Sequence, residues 1–147
     1  MNENLTTIQS KLNACGFKEE DIDNSYFTTS FTARGLITNL TFLIKEINEE
    51  NCDATAIKQI VDMGRKWCVT NLKAHWFVKE AGLNIIFLHN GEVEPSHIKG
   101  QVDSTGNHNA ICQSVTSIDT AGHTDQEKTW IVIGKVKKAL KKLNEKA

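Results

Sequence analysis

The segment LNIIFLHN, residues 83–90, constrains the fold more strongly than any other part of the chain. Its side chains would be apolar on both faces of a strand, which is typical of a strand in the middle of a sheet. The Asn90–Gly91 pair at its end favours positive φ angles and therefore predicts a turn. The chain is thus expected to build a sheet with this strand inside it.

Three further segments predict strands of the same sheet. The segment SYFTTSFTA, residues 25–33, alternates two sets of side chains at the period of a strand. The segments HIKGQVD (97–103) and AICQSVTSID (110–119) follow LNIIFLHN, and the turn-forming residues NGEVEPS and STGN separate them. Short connections of this kind join antiparallel neighbours, so the sequence predicts an antiparallel meander.

Apolar residues at helical spacing predict helices before and after these strands. An N-terminal helix is predicted because such residues recur up to Cys15, and Gly16 then provides a helix end. Leucines and isoleucines predict a second helix over 36–49. Asp53 predicts the N-cap of a third helix. An interruption is expected near Gly64, because a helix continuing through the next segments would be longer than the domain.

Two segments fit more than one structure. Residues 66–80 suit a strand as well as a helix. The C-terminal segment opens with TDQE, a capping-box pattern that predicts a helix over 124–144. Its residues 128–134 suit a strand equally well, so the start of this last helix stays open.

Together these elements predict one α+β domain over residues 1–147, a length that suits a single domain with one core. Its N-terminal helices and C-terminal helix would pack on one face of an antiparallel sheet of about four to five strands. The other face must then be polar or must meet another subunit. Because LNIIFLHN is apolar on both sides, the sequence predicts a homodimer.

The composition predicts a cytoplasmic protein that makes no contact with a membrane. The first residues, MNENLTTIQS, have no signal-peptide pattern. No apolar run approaches the roughly 18 residues that a membrane span needs. The four cysteines form no C-x-x-C pair, which predicts reduced thiols rather than disulfides.

The C-terminal segment KVKKALKKLNEK concentrates positive charge, with six lysines against one glutamate. Its apolar residues fall at helical spacing, so we interpret the lysines as the solvated outer face of a surface helix. Docking onto an acidic partner is the alternative. A nucleic acid is not expected, because the whole chain has a net charge of −1 and only two arginines.

Four polar residues of the predicted meander form the candidate catalytic group: His89, His97, His108 and Asp103. A hairpin closed by STGN would place Asp103 opposite His108, and a loop over NGEVEPS would place His89 beside His97. A carboxylate beside a histidine can set its tautomer for acid–base chemistry. His108 and Cys112 give no second pair, because four strand steps of about 3.3 Å place them about 13 Å apart.

No metal and no cofactor are predicted. The chain has no H-E-x-x-H and no phosphate-binding glycine motif, and it also lacks the G-x-S-x-G of hydrolases. Trp67 and Trp76 lie in an aromatic and basic segment and are the candidate ligand-binding residues. Packing in the core is the simpler interpretation of both tryptophans.

The patterns favour binding over catalysis. The missing catalytic motifs and the uneven charge predict a module that binds a protein partner or a small ligand. The alternative is a small enzyme with an acid–base cleft between sheet and helices, formed by the candidate histidines and Asp103.

Overall fold

The computed structural model describes residues 3–20, 26–35, 38–48, 53–72, 81–89, 110–120, 122, 124–129, 132 and 134–145. Within them, three helices and six strands follow one another along the chain. In chain order they are α1 (Glu3–Ala14), β1 (Lys18–Glu19), β2 (Thr29–Ala33), β3 (Asn39–Ile47), α2 (Ala54–Asn71), β4 (Ala81–His89), β5 (Ala110–Asp119), β6 (Thr124–Lys128) and α3 (Gly134–Asn144).

The six strands form one mixed sheet in the order β1-β2-β3-β4-β5-β6. Strands β3, β4 and β5 are parallel to one another, and the other neighbours are antiparallel. The fold is therefore α+β as predicted, but the expectation of a wholly antiparallel sheet of four to five strands is wrong. Residues 83–89 of the segment LNIIFLHN belong to β4, which lies between β3 and β5 and is buried along its whole length, so the central placement is confirmed.

The parallel arrangement follows from the helix between β3 and β4. A parallel neighbour can be reached only by a crossover that returns the chain to the other end of the sheet. Helix α2 makes this return. It therefore begins at the edge of the sheet where β3 ends and runs antiparallel to β3 and β4. The same topology brings the carboxyl ends of β3, β4 and β5 to one edge of the sheet.

The helix predicted over 36–49 is wrong, because Asn39–Ile47 form β3. Phe42, Leu43 and Ile44 are consecutive and fully buried, and they contribute alternately to the two cores on either side of the sheet. A strand that is buried on both faces has no polar alternation, so its apolar residues can match helical spacing by chance.

Helix α2 confirms one prediction and corrects another. A side-chain oxygen of Asp53 accepts a hydrogen bond of 2.7 Å from the backbone N–H of Ala56, so Asp53 is the predicted N-cap. The helix is continuous through Gly64, where an interruption was expected. A Cβ at Gly64 would lie only 3.1 Å from Leu83 and 3.2 Å from Ile85. This glycine lets the helix lie close to the sheet.

The C-terminal helix is shorter than predicted. The TDQE segment is the start of β6, which pairs with β5, and α3 begins only at Gly134. A capping-box pattern needs only a threonine and a glutamate three residues apart, which an edge strand with alternating polar residues also supplies. The helical stripe itself is confirmed over Gly134–Asn144.

Helices cover the sheet on both faces, whereas the sequence predicted one covered face. Helix α2 packs on one face, with a core built from Leu43, Ile47, Ile57, Ile60, Val61, Trp67, Cys68, Leu83, Ile85, Phe87 and their neighbours. Helices α1 and α3 pack on the other, with a core built from Leu5, Ile8, Leu12, Phe31, Phe42, Ile44, Ile86, Leu88, Val136, Leu140 and their neighbours. Because both faces of β4 are buried within the chain, the apolar strand no longer supplies a reason to expect a homodimer. None of the described helices is long and apolar enough to cross a membrane.

Candidate functional site

The site is built around His89, the last residue of β4. In the parallel register, His89 lies between Ile47 of β3 and Asp119 of β5, each of which also ends its strand. Neighbouring strands are about 4.8 Å apart, so the three residues form a row across the carboxyl edge. In open α/β sheets, ligands bind outside this edge at the point where the strand order reverses, whereas the described strands of this sheet lie in sequence order.

The imidazole of His89 is buried and has no hydrogen-bond partner among the described residues. The residue is 4% exposed, and both ring nitrogens are buried with no partner in the described part of the chain. Strand alternation places it with Ile85 and Phe87 on the face that α2 covers. An unpartnered buried polar group costs about 1–3 kcal/mol, so an unsatisfied imidazole requires a physical explanation.

Asp119 is the neighbour of His89 that the sequence did not reveal. Its backbone carbonyl accepts a 3.0 Å hydrogen bond from the N–H of Gly122, whose φ of 86° helps to turn the chain toward β6. Its carboxylate makes no hydrogen bond to His89, because neither ring nitrogen has a described partner. The pairing follows from the parallel register of β4 and β5, so an antiparallel prediction could not find it.

Lys45 and Tyr26 carry charge and aromatic surface near the β3 side of the row. Lys45 lies two residues before Ile47 and opposite Phe87 in the register. Its Nζ donates a 2.7 Å hydrogen bond to the carbonyl of Tyr26 and lies 4.0 Å from the centre of the Tyr26 ring. Burial raises the pKa of the Tyr26 hydroxyl above its usual value. The carbonyl and the ring therefore fix a cation on this side of the site.

The other predicted site residues do not join His89 in the described structure. His97, His108, Asp103 and Trp76 lie outside the described residues. The predicted pairing of His89 with His97 involves a residue outside the described ones. Within the described residues, β3 and β5 occupy both edges of β4 along its length, and β4 and β5 are parallel, not antiparallel as in the predicted meander.

Trp67 lies in the core, at a distance from His89. It is 6% exposed, and it follows Gly64 along α2 toward the amino end of β4. Its indole Nε1 is buried without a hydrogen-bond partner among the described residues. A role in ligand binding stays a prediction for this residue, and such a ligand would be distinct from one that contacts His89.

A second buried polar group lies on the opposite face of the sheet and is fully bonded. Asn84 accepts a 2.5 Å hydrogen bond from Ser114 Oγ, and its Nδ2 donates to Gln113 Oε1 at 3.1 Å and to the Thr41 carbonyl at 3.3 Å. Gln113 is the extra residue of a bulge, since Cys112 and Ser114 oppose successive residues of β4. Because both amide atoms of Asn84 are hydrogen-bonded, the network fixes the register of the strands and leaves no Asn84 group without a partner for a ligand.

The Cys68 thiol is not placed for chemistry. Burial, and secondarily the neighbouring Cys112, raise the pKa of the Cys68 thiol far above its usual value. A thiol that stays protonated is a poor nucleophile and a poor metal ligand. Within the described residues, no group of three His, Cys, Asp or Glu side chains could hold a metal ion.

Comparison with protein-family models, with curated proteins and with solved structures finds no match for this chain. Its function has to be inferred from the geometry of its own residues.

Proposed function

We propose that the chain is a binding module for a small polar ligand, which contacts His89 at the carboxyl edge of β3, β4 and β5. One observation carries the proposal: the imidazole of His89 is buried and both of its nitrogens lack a partner in the described structure.

The chemistry of the imidazole limits the ligand. A neutral histidine presents one N–H donor and one nitrogen acceptor. A hydroxyl or an amide group, which both donates and accepts, can satisfy one or both of them. Each new hydrogen bond would relieve part of the cost of burying the ring, about 1–3 kcal/mol for an unsatisfied group.

The alternative function is a small enzyme in which His89 acts as acid or base, with Asp119 in the role first expected for Asp103. The register favours it, because Asp119 is the direct neighbour of His89 on β5. A catalytic histidine is normally held in place because the N–H of its second ring nitrogen donates a hydrogen bond to a third group, such as a carboxylate. His89 has no such bond among the described residues, so binding is the better-supported proposal.

Thermal unfolding with a panel of polyols, sugars, amino acids and nucleosides tests the proposal. A ligand at 100 times its Kd adds about 2.7 kcal/mol to the free energy of unfolding, which raises the Tm by several degrees. We expect His89→Ala to abolish the shift given by the best ligand. The matched control is Thr116→Val, which changes a buried residue on the other face of the sheet.

Two readouts separate binding from its alternatives. The imidazole ¹⁵N resonances of His89 should move when the ligand is added, whichever way the protein's stability changes. Equal ligand shifts in the wild type and in His89→Ala would overturn the proposal. Turnover of the bound compound, abolished by Asp119→Asn with binding retained, would establish the enzyme instead.

A further inference from the structure

Helix α3 carries a dense set of unpaired positive charges. Its 11 residues include five lysines and no acidic residue. Four of them are exposed and Lys142 is half-buried. None of the five ammonium groups forms an ion pair or a side-chain hydrogen bond within the described structure, where the ion pairs are Arg34–Glu20 and Arg65–Asp62. The five are Lys135, Lys137, Lys138, Lys141 and Lys142.

The lysines spread over the whole outer half of the helix. At about 100° per residue, they span an arc of about 160° around the axis. The opposite arc carries Val136, Leu140 and Leu143, which are at most 3% exposed. The apolar side of α3 therefore packs entirely in the core, and the side that faces the solvent presents positive charge.

The net charge of α3 is positive, whereas the net charge of the rest of the chain is negative. The protein has 17 basic and 18 acidic residues, so the chain outside α3 has 12 basic residues against 18 acidic ones. At physiological salt, charges are screened over about 8 Å. A partner in contact with α3 is therefore attracted mainly by its lysines. The net charge of −1 of the whole chain does not describe the electrostatic potential at this surface.

A protein partner fits this surface poorly. Lysine is depleted in protein interfaces, whose centres are apolar and are anchored by aromatic residues and arginine. Helix α3 has no aromatic residue and no arginine. Among the described residues, the exposed large hydrophobic side chain is Val69 of α2, on the opposite side of the sheet.

An anionic membrane fits the lysine surface of α3 less well than a polyanion that can contact both flanks of the helix. Firm attachment to a bilayer needs an apolar insertion or a lipid chain in addition to basic residues, and the apolar arc of α3 is buried. A flat surface also meets only the middle of a 160° arc, about half a helix circumference. A nucleic-acid groove places phosphates on both flanks of a helix.

We propose that the lysine face of α3 binds the phosphate backbone of a nucleic acid without reading its sequence. Lysine contacts phosphate as a point charge, and nothing on this face has the fork geometry that recognises base edges. The expectation against nucleic acid rested on the net charge of the whole chain and on its two arginines. The sequence outside α3 is net acidic, and the structure gathers five lysines on this one helix.

Fluorescence anisotropy with a labelled random 20-base-pair DNA duplex tests the proposal through its salt dependence. Five phosphate contacts predict a slope of log K against log salt of about −4.5. Affinity should then fall about 500-fold between 50 and 200 mM salt. The double variant Lys138→Gln, Lys141→Gln should reduce the slope by about 1.8, because two contacts are lost.

The matched control is Lys58→Gln, Lys66→Gln, which removes two exposed lysines from α2 on the opposite face. It changes the net charge equally and should leave affinity and slope close to those of the wild type. Equal losses in both double variants would overturn the proposal, because net charge would then explain the binding. Binding to phosphatidylserine vesicles without binding to the duplex would also overturn it, in favour of a membrane surface.

Discussion

Asn84 is the side chain on which the register of the central strands most depends. Its amide is bonded to Ser114, Gln113 and the carbonyl of Thr41. Replacing one partner of a buried hydrogen bond leaves the others unsatisfied, at about 1–3 kcal/mol for each group.

We therefore expect Asn84→Ala to lower the free energy of unfolding by about 2–4 kcal/mol in urea titration. Ser114→Ala is the control, because Asn84 then keeps its two donor bonds, and its loss should be about 1 kcal/mol. Equal losses from the two variants would mean that Asn84 does not organise the network.

The Cys68 thiol gives a pH dependence with a definite sign. Burial raises its pKa in the folded state, whereas the unfolded thiol ionises near its ordinary pKa of about 8.5. The contribution of Cys68 to stability is thus complete below about pH 8.5 and declines as the pH rises above it, because only the unfolded state ionises.

The measurement is the free energy of unfolding at pH 7 and pH 10 for the wild type and for Cys68→Ala. The wild type should lose more stability than the variant between these two pH values. An identical loss in both proteins would show that Cys68 is not the group responsible. Native Cys68 should also react with a thiol reagent only as fast as the protein opens.

At the level of helices and strands, hydrophobic periodicity gave a wrong prediction for β3, which is buried on both faces. It gave a correct prediction for α3, which has one face exposed to solvent. The stripe of α3 was predicted because its lysines contrast with Leu140 and Leu143. Strand β3 was mistaken for a helix because Phe42, Leu43 and Ile44 provide no contrast. The parallel pairing of β4 and β5 was also missed. The turn-forming residues at 90–96 and 104–107 predicted hairpins, but such residues are equally compatible with a crossover connection.

Gly64 illustrates how a local signal can have a non-local cause. A break was predicted near this glycine because a longer helix would exceed the domain, but the glycine instead allows the close approach of α2 to Leu83 and Ile85. We expect Gly64→Val to lower the free energy of unfolding by about 1–3 kcal/mol through overpacking.

Valine has a higher helix propensity than glycine, so a loss in Gly64→Val reports packing and not helix formation. Thermal or urea unfolding measures it directly. Unchanged or greater stability would mean that the gap between helix and sheet has room for the added methyl groups.

The candidate site shows what a sequence can and cannot supply about the whole molecule. His89 was a candidate because a loop over NGEVEPS was expected to place it beside His97. Its neighbour Asp119 is 30 positions away and becomes adjacent only through the order and direction of the strands. The lysines of α3 were visible as a charge cluster, but only the two covered faces show that the helix has no apolar surface left to offer.

The two-sided core makes α3 part of the fold as well as a charged surface. Val136, Leu140 and Leu143 are buried against the sheet, and each buried aliphatic side chain contributes about 1.5–3 kcal/mol. Their sum is comparable with the total stability of a typical domain, about 5–15 kcal/mol. A chain that ends at residue 133 should therefore lose cooperative unfolding and bind the dye ANS through its exposed sheet face.

Full-length Lys138→Gln, Lys141→Gln is the control for that truncation, because it removes charge from α3 and leaves its apolar arc intact. It should keep the sharp thermal transition and the near-UV circular dichroism of the wild type. A truncated chain with a wild-type transition would show that α1 alone covers this face. If the truncated chain is molten and the lysine variant is native, then packing and surface charge on α3 are separable. A loss of DNA affinity in the lysine variant would then report on the surface and not on the fold.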